Sequence, residues 1–199
     1  VLTLDAPLAD GDYVWTVTAS NGTTASNAPS NFTVDTTNLT ELVKNGDFEE
    51  KNASSLPKQW TAAGVKTSVV VCESGLTHPE YQGLCGFIFF GQTGLNATLT
   101  QTLPITGLAI NDRLTLRGAA QIGKAVAGAE IKLQVTYTDN TKVTRKLTQG
   151  AGSSLWQALE ADPITLTKAI KKAVVTLSYK GISGKVTFDN ISVISEDVE

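Results

Sequence analysis

No methionine, a single histidine, two cysteines and little charge are found among the 199 residues, and each shortage removes a class of function. Asp and Glu outnumber Lys and Arg by 19 to 16, for a net charge of −3, and the basic residues stand singly except at Lys168, Lys171 and Lys172. A protein that tracks a phosphate backbone needs a basic stripe, so this balance argues against a nucleic-acid partner. Long apolar runs are missing too. GFIFFG and KAVVTLSY have strand length, well short of the ~18 residues that read as a membrane-spanning helix. The opening VLTLDAPLAD lacks the basic, apolar and small-residue order of a signal peptide, and Val1 reads as a processed or internal end of a longer gene product. The lone histidine, His78, precedes Pro79 between the two cysteines, and no nucleophile elbow, HExxH helix, CxxC pair or phosphate-binding glycine loop accompanies it. The acidic residues fall mainly in turns and at the ends, at Asp5, Asp10, Asp12, Asp139, Asp162, Glu196, Asp197 and Glu199, rather than as a pair set for glycoside hydrolysis. The chain reads as a non-enzyme.

Helical periodicity is confined to TELVKN at 40–45 and LTKAIKKA at 166–173, both too short to outweigh their surroundings. What is present instead is alternation at period two. Strands are expected over 13–20, 67–73, 85–91, 97–105, 113–122, 129–138, 142–149, 172–180 and 184–195. Turn signals separate them at Asp10-Gly11, Asn21-Gly22, Asn111-Asp112, Asp139-Asn140 and Gly181 to Gly184. Many short strands at regular spacing indicate an all-β sandwich or barrel. Alternation also assigns faces. Ile131, Leu133, Val135 and Tyr137 face the core from one strand, and Val175, Leu177 and Tyr179 from another.

Cys72 and Cys85 flank two strand-like runs and enclose a short loop. Paired, they would stabilise the fold by about 3 kcal/mol in the chain-entropy model. The competing reading is two buried thiols in a reducing compartment. Abundant Thr, Ser and Asn, the lack of Met, and Asn-X-Ser/Thr sequons at Asn21, Asn31, Asn38, Asn52, Asn96 and Asn190 favour an oxidising location, secreted or at the cell surface.

The composition shifts near residues 35–41. Residues 1–35 form one hairpin and a polar exit, 36–41 a linker, and 42–199 the main domain. Through DGDYVWTVTA and NFTVDTT, the first segment resembles the C-terminal strands of a bacterial Ig-like or fibronectin-type repeat. Two or three strands cannot bury enough surface to stand alone, so this hairpin must pack on the second domain, pair with another chain or remain loose.

From residue 42 onward the order of motifs is similar to that of the CBM4/9-type carbohydrate-binding modules, which are galactose-binding-like jelly rolls. The motifs are Asn45-Gly46-Asp47-Phe48-Glu49 followed by Trp60, the strand led by Gly86-Phe87-Ile88, the stretch TQTLPITGLAINDRLTLRGAAQ, Trp156, and the closing Phe188-Asp189-Asn190-Ile191-Ser192-Val193. The resemblance implies a structural Ca²⁺ held by Glu49 and Asp189, with carbonyls from the Gly46 region and the 83–86 loop. It also implies that Trp60 and Trp156 are core residues. A sugar-binding face is implied across the strands that carry Arg117, Ala119, Gln121, Lys132, Gln134, Thr136, Thr176 and Ser178. None of these is aromatic, and Ala119 stands where many family members carry Trp or Tyr. The residues expected to meet a glycan are therefore Arg117, Gln121 and Gln134, with loop aromatics such as Tyr81 beside His78, or Phe90. Two functions compete. One is a non-catalytic module that anchors a larger secreted protein to polysaccharide. The other is a subunit of an extracellular filament, sheath or surface layer, joined to its neighbours by strand addition through the N-terminal hairpin.

Overall fold

The computed structural model describes residues 11–15, 30–34, 39–72, 81–93, 96–123, 129–149 and 155–198. The chain divides into two compact units, Val1–Leu39 and Thr40–Glu199. In the first, β1 (Gly11–Trp15) pairs antiparallel with β2 (Ser30–Val34), placing Tyr13 opposite Phe32. The turn signal at Asn21-Gly22 lies outside the described residues.

The second unit is a jelly-roll β-sandwich, and no helix occurs among the described residues. Its strands are β3 (Leu39–Glu41), β4 (Thr61–Ala63), β5 (Val69–Cys72), β6 (Cys85–Phe90), β7 (Ala97–Thr102), β8 (Arg113–Gly123), β9 (Ala129–Tyr137), β10 (Lys142–Gln149), β11 (Gln157–Glu160), β12 (Ile164–Thr165), β13 (Ile170–Tyr179) and β14 (Lys185–Glu196). One antiparallel sheet runs β10-β9-β13-β7-β4. The other runs β11-β8-β14-β6-β5, with β12 added on β8 and β3 on β14.

The period-two pattern decides which side of each sheet is dry. Ile131, Leu133 and Val135 of β9 are fully buried, as are Val175 and Leu177 of β13, with Tyr137 and Tyr179 almost so. Opposite them stand Leu114, Leu116 and Ile122 of β8 and Phe188 and Val193 of β14. An aromatic run, Trp60–Phe48–Phe87–Phe89–Phe188, continues through the core with successive ring centroids 4.9 to 6.0 Å apart. Such contacts add to the area each ring buries.

Four short strands differ from the expectation. The linker expected over 36–41 ends in β3, which pairs with β14, and β4, β11 and β12 hold only two to four residues each. Alternation needs more positions than that to show. The helix-like LTKAIKKA instead runs into β13 from Ile170, because Val175, Leu177 and Tyr179 commit the following residues to a strand.

One irregularity positions everything that follows. Asp189 of β14 faces Ala119 of β8, yet Ser192 faces Arg117, so Asn190 and Ile191 together oppose Gly118. This is a β-bulge. Asn190 takes the left-handed conformation, φ 50°, which Asn tolerates better than most residues. Gly118 leaves room beneath it: a Cβ there would lie 2.7 Å from Ile131 Cδ1 and 2.9 Å from Ile191 Cδ1, so those side-chain ends would have to shift.

Candidate functional site

Two neighbouring features are built around this bulge: a carboxylate pair, of which Asp189 is buried and Glu49 exposed, and an open groove. The pair starts from the 42–50 segment. Phe48, at φ 57°, drops its ring fully into the core, which turns Glu49 outward. Asn45 ties the segment into a loop, its Nδ2 donating to the carbonyls of Glu50 and Lys58 while its Oδ1 accepts from Glu50 N–H. Trp60 Nε1 donates to the Asn45 carbonyl at 3.0 Å, which fixes the indole in the core. Gly46 then meets the bulge, its carbonyl accepting from Ile191 N–H at 2.9 Å.

Glu49 and Asp189 are gripped by one loop. Asp189 Oδ2 accepts from Tyr81 N–H and Gln82 N–H, both at 2.8 Å, and Oδ1 accepts from Asn190 N–H at 2.6 Å. Glu49 Oε1 accepts from Leu84 N–H at 2.6 Å and Cys85 N–H at 2.9 Å. Gly83, at φ 78°, makes the turn between the two donor pairs, and a Cβ there would collide with Glu49 Oε1. The far end of the loop is held by the Cys72–Cys85 disulfide, which joins directly paired residues of β5 and β6. Asp189 has no exposed surface, and its carboxyl is pushed up to about 6. Burial is the main cause, the three N–H donors pull the other way, and the charge of Glu49 adds to the rise.

The same residues bear on the calcium that the family resemblance implies. Calcium takes six to eight oxygens, commonly loop carbonyls together with carboxylates. Here four N–H groups of the 81–85 loop are already bonded to the two acids, and the Gly46 carbonyl accepts from Ile191 N–H. No group of three or more His, Cys, Asp or Glu side chains arranged to hold a metal occurs among the described residues. This donor set does not fit a calcium ion.

The groove, of about 650 Å³, opens beside the bulge between β3, β8 and β11. Its polar walls are Glu41, Asp47, Arg117, Glu160, Asn190 and Ser192, with Tyr81 at one side. Register explains the clustering: Arg117 of β8 lies between Glu160 of β11 and Ser192 of β14. Arg117 Nε donates to Glu160 Oε2 at 2.9 Å. Glu41 Oε1 accepts from Val43 N–H and Val193 N–H, and its Oε2 accepts from Ser192 Oγ–H. Tyr81 is 43% exposed, and its ring packs 5.8 Å from the Trp156 ring, centroid to centroid.

The structure therefore brings Arg117 and Tyr81 to one groove. Gln121 lies four residues along β8 on the same outer face. Gln134 lies on the other sheet, between Thr144 and Val174, as do Lys132, Thr136, Thr176 and Ser178. The expected single sugar face across β8, β9 and β13 is corrected accordingly, because β8 and β9 belong to opposite sheets and their outer faces point away from each other. Ala119 is buried between Ala158 and Asp189, so an aromatic there would displace its neighbours. Trp156, expected in the core, is half-buried beside Tyr81. Sequence reasoning missed Glu41, Asp47, Glu160 and Asn190 as groove residues. Only Asn190 carried a signal, the turn-type pair Asp189-Asn190 inside a strand pattern. Among the sequons, Asn52, Asn96 and Asn190 are exposed, whereas Asn21 and Asn38 lie outside the described residues, as does His78.

No protein-family model matches this chain, and no protein of curated function matches it. Solved structures do resemble it. A cyclase from Fischerella sp. TAU superposes with a TM-score of 0.62 at 16% identity, over 81% of this chain and 99% of the cyclase. A family 61 carbohydrate-binding module, solved in complex with β-1,4-galactotriose, gives 0.54 at 17% identity over 77% and 97%. The CBM22-1 xylan-binding domain of Paenibacillus barcinonensis Xyn10C gives 0.52 at 16% over 77% and 93%. The shared feature is the fold. This jelly roll is the sandwich of carbohydrate-binding modules, and a cyclase uses it too, so the fold by itself does not separate binding from catalysis.

Proposed function

We propose that the protein is a secreted, non-catalytic carbohydrate-binding module whose ligand lies in the groove at the β14 bulge. The observation that supports this is the meeting of Arg117 and the exposed Tyr81 ring in one groove. An aromatic face offers a pyranose an apolar platform, and fixed planar groups such as guanidinium, carboxylate and carboxamide match its hydroxyls. A mostly preformed cleft with a few placed polar groups is what small-ligand sites share. The Arg117–Glu160 ion pair, more than half exposed on both sides, presents both groups to a ligand. The disulfide and the exposed sequons at Asn52 and Asn96 support an extracellular location. A glycan on Asn190 would fill the groove, so that sequon is expected to be unoccupied in an active module. As a free-standing domain of a larger polypeptide, the module would anchor its parent protein to polysaccharide.

The test is a glycan array and an insoluble-polysaccharide pull-down with the whole chain. Arg117→Ala and Tyr81→Ala are each expected to weaken retention about tenfold, equivalent to about 1.4 kcal/mol, and Gln134→Ala to leave it unchanged. Binding that survives both groove substitutions but is lost on Gln134→Ala would move the site to the other sheet. Failure of the folded protein to retain any glycan would end the proposal. A second reading rests on β1 and β2, which pair only with each other among the described residues. Edges of that kind can be extended by a neighbouring chain, and concentration-dependent polymers in sedimentation would favour an assembly subunit instead.

A further inference from the structure

The contact between the 42–50 segment and β14 needs something to hold two acids side by side, and the 81–85 loop already does so. Four of its amides reach the two carboxylates, a glycine makes the turn between them, and a disulfide closes its base. Each amide hydrogen carries partial positive charge, so successive N–H groups aimed at one carboxylate form an anion-binding concavity. Bonds of this charge-assisted kind are about twice as strong as neutral ones. We propose that the backbone amides of residues 81–85 hold Glu49 and Asp189 in place of a cation, so that the sandwich fastens its opening segment to its last strand without calcium.

The proposal separates this chain from a calcium-stabilised jelly roll in a measurable way. A cation bound only by the native state, at a hundredfold over its dissociation constant, would raise the melting temperature of a domain this size by about 5–10 °C. For the oxidised whole chain, melts in millimolar calcium and in chelator are expected to agree within about 1 °C. Glu49→Gln keeps an oxygen that can accept both amides, so its melting temperature should fall by only about 2–4 °C, equally in calcium and in chelator. Gly83→Ala should cost more in both buffers, since it sets a side chain at positive φ against Glu49. A rise of several degrees with calcium, together with a stoichiometric calcium titration that Glu49→Gln abolishes, would overturn the proposal and return the site to a metal. If Gly83→Ala does not fold, the Glu49→Gln comparison still decides, because only a metal site couples that substitution to calcium.

Discussion

Between pH 4 and pH 7 the protein is expected to lose about 2.4 kcal/mol of stability through Asp189 alone, a loss that Asp189→Asn should abolish. The folded-state value of about 6 stands above the unfolded 3.8, so the native chain keeps a proton that the unfolded chain releases between those values. Below 3.8 both states are protonated and the full stability is present. It declines as pH rises and levels off above about 6, where a buried carboxylate is charged at the cost of desolvation. Asparagine has no proton to lose, and its carbonyl can still accept from Tyr81 and Gln82. Denaturant unfolding of both proteins across this range isolates the contribution of Asp189 and its coupling to Glu49, because titrating groups that do not interact with Asp189 cancel in the difference. A difference that does not change with pH would show that Asp189 is not held as the structure describes. The same quantity amounts to about 5–10 °C in melting temperature for a domain of this length.

Gly46→Ala is expected to cost about 3 kcal/mol or more, with a fall in melting temperature of about 6–12 °C. The added Cβ would overlap the Ile191 carbonyl oxygen and press on Val43 Cγ1 at 3.1 Å. Neither side can yield easily. Gly46 is hydrogen-bonded to Ile191 through its own carbonyl, and the Ile191 side chain, 3% exposed, is packed over Gly118. Gly123→Ala supplies the contrast, since the new methyl meets only the flexible stem of Lys185. Calorimetry of both variants should show a large loss in one and a small loss in the other. Equal melting temperatures would mean that the opening segment is not docked against β14.

The sandwich was legible because burial on one face of each sheet writes itself into alternation. Residues 131, 133, 135 and 137, and 175, 177 and 179, point inward as their spacing requires. Sheet membership was not legible in the same way. Alternation tells a strand which side is dry but not which sheet it joins, and so Arg117 and Gln134 read as neighbours when they lie on opposite faces of the molecule. The carboxylate pair was visible through two acids flanked by Phe48 and Phe188, because buried aromatics anchor the backbone on either side. What reaches those acids was hidden. Backbone amides have no letter in the sequence, and the glycine at 83 that lets them turn is one of 17. Glu160 was hidden for a related reason: its partner Arg117 is 43 residues away and is brought near only by strand pairing.

Asn190 has a peculiar status along β14: the core does not count it. On one side Val186 and Phe188 point inward, on the other Ile191, Val193 and Ser195 do, and the extra residue merely separates two stretches that are already in phase. Deleting it would set Ile191 opposite Gly118 and restore an unbroken ladder with every inward side chain in place. It would, however, remove the third amide from Asp189 and flatten one wall of the groove. The interior and the recognition surface are thus written in separable parts of the same strand. A lineage of such sandwiches can gain, lose or reshape this groove by adding or dropping one residue, with its hydrophobic packing left as it was.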